Sequence, residues 1–505
     1  MACRSRARSA CPLALLCAAL ACLSAFAHQQ PQQQPSPYTD SPQLPDTPAY
    51  ARAREVMNLI NAADAAAYER YVQESFAPQF LNAVEPGVHT AVYVDVVEGV
   101  GKFQPHGARS YTPARPATNA VLVVFASVPE QWQAIVVDVE EQPPHKITRL
   151  SFDRARPPTD APKGEILTEA QIVEKLDAYI DRLAKQDAFS GTVLLAKDGK
   201  PILTRAVGLA NRDFKAPNTL DTRFNLGSMN KMFTAVAILQ LAEQGKLSLD
   251  DTLARHLDTT WLPQETLDRV TIRQLLTHTS GLGSYFTQTF FRSSRALYRN
   301  VDDYKPLVSS ETLAFEPGSQ QRYSNTGFLI AGAIVEKAGG TDYFDYIRTN
   351  VTGPAGMTNT DCYELDKVND NLAVGYDRRL TPGGTEYMNN IFLHVIRGGP
   401  AGGGYSTVTD LLRFDQALRA GKLLKHESLA AAWTPVLGSL GYGLGFFVAQ
   451  TSAGKVVGHS GGFNGISADL SMYLDAGYTV AVLSNDGRAA PLVQTKARDL
   501  IVQGR

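Results

Sequence analysis

Apolar residues along this chain fall into two strand-rich stretches and a long middle region of helical or irregular pattern. In the first stretch Val56, Leu59, Ile60, Ala63, Ala67, Tyr71 and Val72 recur at the spacing of one helix face. Strand-like runs follow at Thr90–Val97, Ala120–Ser127, Gln133–Val139 and Lys146–Phe152. Helix first and strands after predict a small α+β module over residues 49–155, a helix packed on a curved sheet. Its histidines, His89, His106 and His145, lie near expected turns and read as solvated side chains.

A second unit is expected over residues 165–505. Thr168 to Gln171 spell a capping box ahead of a helix whose inner face is Ile172, Val173, Leu176, Tyr179, Ile180 and Leu183. "GTVLLAKDGKPILTRAVG" then reads as two strands joined at Asp198-Gly199, a hairpin signal. Near the far end "ADLSMYL" and "YTVAVLSN" form another antiparallel pair, and a last helix starts at Pro491 with Leu492, Val493, Ala497, Leu500 and Ile501 inward. Strands at both ends predict one antiparallel sheet flanked by the terminal helices. A mostly helical insertion occupies the middle, from residue 230 to about 440. The fold class is α/β of the segregated, α+β kind.

The connecting segments differ in composition. Residues 28–48 are rich in Gln and Pro and are expected to form a disordered tether. A second Pro-rich joint, "RPPTDAPK" at 156–163, separates the two units. Residues 1–27 read as a signal peptide: Arg4, Arg6 and Arg8, then an apolar run Leu13 to Ala25, then Ala25-Phe26-Ala27 as cleavage site. A periplasmic or secreted protein follows, with lipidation at Cys22 the alternative; Ala19 stands where a larger aliphatic residue is preferred there. The apolar run is short for a bilayer span, so no transmembrane segment is expected in the mature chain. Of the cysteines only Cys362 lies beyond the signal, which leaves no internal disulfide and reads as an inert structural thiol.

Charge narrows the function. The 505 residues carry 48 basic and 50 acidic side chains, with no basic run interleaved with aromatics. Nucleic-acid binding is therefore not expected. No ligand spacing suggests a metal, and no cofactor is expected; the glycines of 398–404 fit neither a phosphate loop nor a dinucleotide fingerprint. They read as a pliable loop beside a cleft, capped into a helix by Ser406 or Thr407.

Chemistry gathers elsewhere. Ser228 opens an apolar-periodic run that ends at Gly245, and Lys231 stands three residues on, so hydroxyl and amine share a helix face. The helix N-terminus favours a developing negative charge, and a lysine of depressed pKa can serve as the base a serine needs. On spacing alone Ser228 reads equally well as an N-cap, and Ser452–Lys455 repeats the pattern in an expected exposed turn. Order supplies the specificity. "YSNTG" gives Tyr323 and Asn325 on a loop before the apolar helix Phe328–Val335, and "GHSGGFNG" gives His459, Gly461 and Gly462 between strands. "GHSGG" also fits a nucleophile elbow at Ser460, but no histidine follows it and the next residues alternate like a strand. His278, in "THTSGL", lacks a local carboxylate and reads as a packing or supporting residue.

Serine at a helix start with lysine three places on, Tyr-x-Asn on a loop, then His-x-Gly on an edge strand together resemble the motifs of class C β-lactamases, DD-peptidases and related esterases. "LLTHTSGL" (275–282) and "GGPAGGGYSTVTDLLRF" (398–414) are similar to segments of the same superfamily, and the match runs from Leu167 to the C-terminus. The amino-terminal module lies outside it and resembles cystatin- or NTF2-like domains in architecture only. The resemblance implies Ser228 as the acylated nucleophile, Lys231 as its base or hydrogen-bond partner and Tyr323 as proton shuttle. Which of Lys231 and Tyr323 takes the first proton is left open. It further implies Asn325, His459 and Gly461 as substrate-binding residues, and the N–H groups of Ser228 and Gly462 as oxyanion hole. Class C enzymes usually carry lysine where His459 stands, which argues against strong β-lactamase action. Small acyl substrates or peptides remain the expected partners: esters, peptides with D-residues, or β-lactams. The choice depends on a cleft bordered by loops near 284–310 and 380–404. A non-catalytic binder or sensor of cell-wall fragments on the same fold is the alternative.

Overall fold

The computed structural model describes residues 37–161, 164–381, 384–436 and 441–504. The expected signal peptide and residues 28–36 of the expected tether lie outside the described residues. In the first unit, strands β1 (Tyr38–Ser41), β2 (Phe103–Tyr111), β3 (Asn119–Ala126), β4 (Gln131–Val139) and β5 (Ile147–Arg154) form one antiparallel sheet in that order. Helices α1 (Pro48–Ala62), α2 (Ala65–Ser75) and α3 (Pro86–Val100) close over it. Ala53, Val56 and Ile60 of α1 meet Leu122, Val124, Ile135 and Val137 of the sheet in one fully buried cluster.

Two expectations for this unit are corrected. The run Thr90–Val97 is helical, not a strand: it belongs to α3, which starts with Pro86 in its first turn. Its buried positions His89, Tyr93, Val97 and Val100 recur at helical spacing, and the Tyr93 ring stacks on Tyr68 at 4.1 Å. That packing outweighs the strand preference of the β-branched residues between them. His89 is thereby buried among Phe76 and Phe80, with its pKa lowered by burial, and is not a solvated side chain. The second correction concerns the tether, whose residues 38–41 form β1, paired with β2. Asp40 there accepts from Arg109 Nε at 2.8 Å, with both side chains almost wholly buried.

The second unit has a six-stranded antiparallel sheet. In sequence its strands are β6 (Gly191–Lys197), β7 (Lys200–Val207), β8 (Phe447–Thr451), β9 (Gly454–Phe463), β10 (Ile466–Tyr473) and β11 (Tyr478–Ser484). In space the order is β8-β9-β10-β11-β6-β7, so the carboxyl-terminal strands join the amino-terminal hairpin. Alternation along each strand feeds two cores. Val193, Leu195, Val480 and Val482 pack on helices α4 (Glu169–Lys185) and α8 (Ala490–Val502), while Leu194, Ala196, Ala481 and Leu483 face the helical insertion. That insertion is built around α5 (Asn230–Glu243), α6 (Asn325–Gly339) and α7 (Val408–Arg419), which Thr407 caps. Ser452–Lys455 sits at the turn between β8 and β9.

The two units share a contact. Tyr179 of α4 donates its hydroxyl to Val128 O at 3.0 Å, and Glu130 accepts from Arg182 at 2.8 Å and Lys496 at 2.7 Å. Arg488 reaches Asp95 of α3 at 2.7 Å, and Arg154 reaches Asp499 at 2.9 Å.

Candidate active site

Ser228 lies in a single 3₁₀ turn, Gly227–Met229, that leads directly into α5. Its side chain is half-buried, at the seam between α5 and the edge of β9. Backbone there comes closer than side chains allow. A Cβ at Gly461 would stand 1.8 Å from Leu226 O and 3.0 Å from Ser228 N, and one at Gly227 (φ +50°) 2.9 Å from Gly462 N. Only glycine fits such contacts. They set the backbone nitrogens of Ser228 and Gly462 on the same main-chain seam.

Lys231, one turn along, is fully buried. Its Nζ donates to Ala401 O at 2.6 Å, to Asn325 Oδ1 at 2.9 Å and to Ser228 Oγ at 3.2 Å. The first two acceptors have no proton to give. A neutral amine therefore uses both its N–H groups on them and turns its lone pair to the Ser228 hydroxyl, while the ammonium donates there instead. Asn325 is fixed on its other side, donating from Nδ2 to Ser284 Oγ at 3.1 Å. The Tyr323 ring lies 4.7 Å from Lys231 Nζ. Ser228, Lys231, Tyr323, Asn325, Gly461 and Gly462 are thus brought together as one group.

His459 is placed differently from a substrate-binding side chain. It is buried; Nδ1 donates to Ser460 O at 2.5 Å, and Nε2 accepts from the Tyr442 hydroxyl at 2.9 Å. Burial, and after it the Lys231 charge, drives its pKa down to about 3, although the Ser460 carbonyl acts in the opposite sense. The imidazole is neutral and offers no cation to a substrate carboxylate.

His278 proves to be a clamp. It adopts a left-handed backbone (φ +59°), its O accepts from Arg322 N at 2.8 Å and its Nδ1 accepts from Ser324 N at 3.1 Å. Tyr323 lies between those two anchors, its ring 4.3 Å from the imidazole. Burial, then Lys231 and His459, hold the His278 pKa well below the usual value. Both imidazoles have depressed pKa values, so neither titrates at the usual place near 6.5. A kcat/KM profile from about pH 8 to 5 is expected to show no inflection near 6.5. His278→Asn, which tolerates the left-handed backbone, is expected to lower kcat about 10- to 100-fold through a displaced Tyr323, with KM nearly unchanged. An inflection near 6.5 that vanishes in His278→Asn would instead make the imidazole a titrating participant.

Some contributors were hidden from sequence reasoning. Asn230 and Thr234 hold the glycine loop that presents Ala401: Gly404 N donates to Asn230 Oδ1 at 3.1 Å, and Thr234 Oγ1 donates to Pro400 O at 2.8 Å. Two polar residues four apart on an otherwise apolar helix face are a legible signal. Ala401 O, Ser284 and Tyr442 carry none. Ser460, the alternative nucleophile, lies within β9 opposite Asp469 of β10, in an antiparallel hairpin and not at a strand-to-helix elbow. Cys362 is buried, its thiol pushed up to about 12 mainly by burial, as befits a structural residue.

A buried lysine on a helix-start serine, beside paired backbone donors, is the equipment of a serine hydrolase. The chain belongs to the Beta-lactamase family, whose model matches residues 176–504. It is 34% identical over 328 residues to a penicillin-binding protein of Bacillus subtilis (strain 168), spanning 61% of this chain and 71% of that one. Esterase EstB of Burkholderia gladioli is 30% identical over 312 residues, 54% of this chain and 76% of the esterase. The crystal structure of a penicillin binding protein from Bacillus halodurans superposes with a TM-score of 0.59 at 30% identity, covering 64% of this chain and 98% of that one. All three stretches fall short of the whole chain, and the family match begins within α4, after the amino-terminal module.

Proposed function

We propose that the protein is an exported hydrolase that transfers an acyl group to Ser228 and then to water. The observation that carries this reading is the set of bonds at Lys231 Nζ, which aims the amine at Ser228 Oγ. Ser228 Oγ attacks the substrate carbonyl carbon while its proton passes to Lys231, and the carbonyl oxygen takes negative charge beside the Ser228 and Gly462 N–H groups. The bond to the leaving group then breaks as Tyr323 gives that group a proton and recovers one from Lys231. Water attacks the acyl-enzyme in the reverse sense, releasing the acid and restoring Ser228. Asn325 orients both Lys231 and the substrate. The names of its relatives, penicillin-binding proteins and an esterase, support an ester, amide or lactam carbonyl as the reacting group. The signal-like residues 1–27 support export.

The test is intact-mass spectrometry after a fluorophosphonate and, separately, a penicillin, on wild type, Ser228→Ala and Ser460→Ala. Adduct formation with the fluorophosphonate is expected in wild type and Ser460→Ala and absent in Ser228→Ala. Labelling that survives Ser228→Ala, or none in wild type, would overturn the assignment.

A further inference from the structure

The two walls beside Ser228 are joined by aromatic rings. Phe286 stands two residues from Ser284, the partner of Asn325, and Phe463 follows Gly462 on β9. Their ring centroids are 5.8 Å apart, and Phe291 continues the surface 6.0 Å from Phe286. All three rings are partly open to solvent. Beyond Phe463 and the polar Asn464, apolar side chains recur. His394 lies 6.4 Å from its ring, and the adjoining turn exposes Ile391 (51%), Phe392 (85%) and Leu393 (40%).

That turn is held in place. Asn390 donates its side-chain amide to Asn464 O at 2.7 Å, directly after Phe463, and its backbone N–H to Gly375 O at 3.0 Å. Leu393 N then closes the turn on Asn390 O at 2.9 Å. Large apolar side chains kept in water on a hydrogen-bonded turn mark a contact site.

Its position along β9 selects the part of the substrate it meets. Tyr323, which serves the leaving group, adjoins the His278–Tyr442–His459 stack. Phe463 lies four residues further along the strand, past the oxyanion donor Gly462, roughly 13 Å at about 3.3 Å per residue. The leaving group therefore points toward the His459 end and the acyl group toward Phe463. At the His459 end no cation is offered, since both ring nitrogens are engaged within the protein.

Resting on the acyl-enzyme reading, we infer that Phe286, Phe463 and the Ile391–Leu393 turn form an acyl subsite, and that the preferred substrates are uncharged esters with an apolar acyl chain long enough to reach it.

The test uses p-nitrophenyl acetate, butyrate, octanoate and glutarate half-ester with wild type, Phe392→Ser, Phe463→Ala and the distant surface variant Val368→Ser. Phe392 and Val368 are largely exposed, so their replacements fold. Expected is a kcat/KM at least tenfold higher for octanoate than acetate in wild type and Val368→Ser, with the carboxylated glutarate poorer than butyrate. Phe392→Ser and Phe463→Ala reduce the octanoate-to-acetate ratio several-fold. A flat chain-length series, a ratio untouched by Phe392→Ser, or glutarate matching octanoate would overturn the subsite while leaving the acyl-enzyme intact. If no ester is turned over, fluorophosphonate labelling of Ser228 decides: with it only the subsite falls, and without it the acyl-enzyme reading falls as well.

Discussion

Lys231→Met is expected to lower kcat on an activated ester about 10²- to 10⁴-fold, the usual contribution of a positioned base. Methionine keeps the length and apolar stem of lysine and removes the amine that reaches Ser228 Oγ at 3.2 Å. Stability is subject to two opposed effects. Ala401 O and Asn325 Oδ1 lose a donor, at about 1–3 kcal/mol for each unsatisfied acceptor. Against this, a side chain that is a hydrated ammonium in the unfolded chain no longer has to be stripped of water on folding, which relieves several kcal/mol. The two are of similar size, so Tm should move by only a few degrees while activity collapses. Initial rates and a melting curve on the same preparation check this; loss of both together would mark Lys231 as a scaffold residue. In the proposed mechanism serine and lysine act as a unit, so adding Lys231→Met to Ser228→Ala should cost little beyond Ser228→Ala alone.

Asp40→Ala is expected to destabilise the amino-terminal module by about 3–5 kcal/mol, the range for breaking a buried ion pair from one side. Asp40 accepts from Arg109 Nε at 2.8 Å and Nη2 at 3.1 Å and from Thr159 N at 3.0 Å, and the two ionic side chains are 2% and 3% exposed. Removing the carboxylate strands the guanidinium under Tyr38, whose ring lies 3.9 Å from it. Urea unfolding followed by tryptophan fluorescence reads the change, since Trp132 lies in the same sheet. A loss below about 1 kcal/mol, typical of an exposed pair, would show that β1 is dispensable.

That aspartate also illustrates what a sequence conceals. Tyr38–Ser41 has no apolar alternation, and its place in the sheet rests on backbone pairing and one ion pair to a residue far along the chain. Local signals were legible where local energetics decide. Asp198 and Gly199 both take positive φ (49° and 74°), as the hairpin pattern required, and Thr168 and Gln171 make the capping box. The valines of Thr90–Val97 suit a strand locally, whereas burial of Tyr93 against Tyr68 decides in favour of a helix. Within the site, side chains named by motif converge. The Ala401 carbonyl could not be foreseen, since every residue type offers one, and His459 owes its neutrality first to burial, in a place where it also meets Tyr442, a partner no spacing rule connects to it.

The glycine contacts at Gly227 and Gly461 have a consequence for how such an enzyme can change. Ser228 and Gly462, the proposed nucleophile and one of its proposed oxyanion donors, are spaced by main chain against main chain. The rings that border the acyl path hang from separate loops and a strand end. Mutation can therefore rewrite the rim residue by residue without shifting the reacting atoms. Reactivity and preference are inherited separately, and a lineage could exchange one substrate for another through a succession of active intermediates.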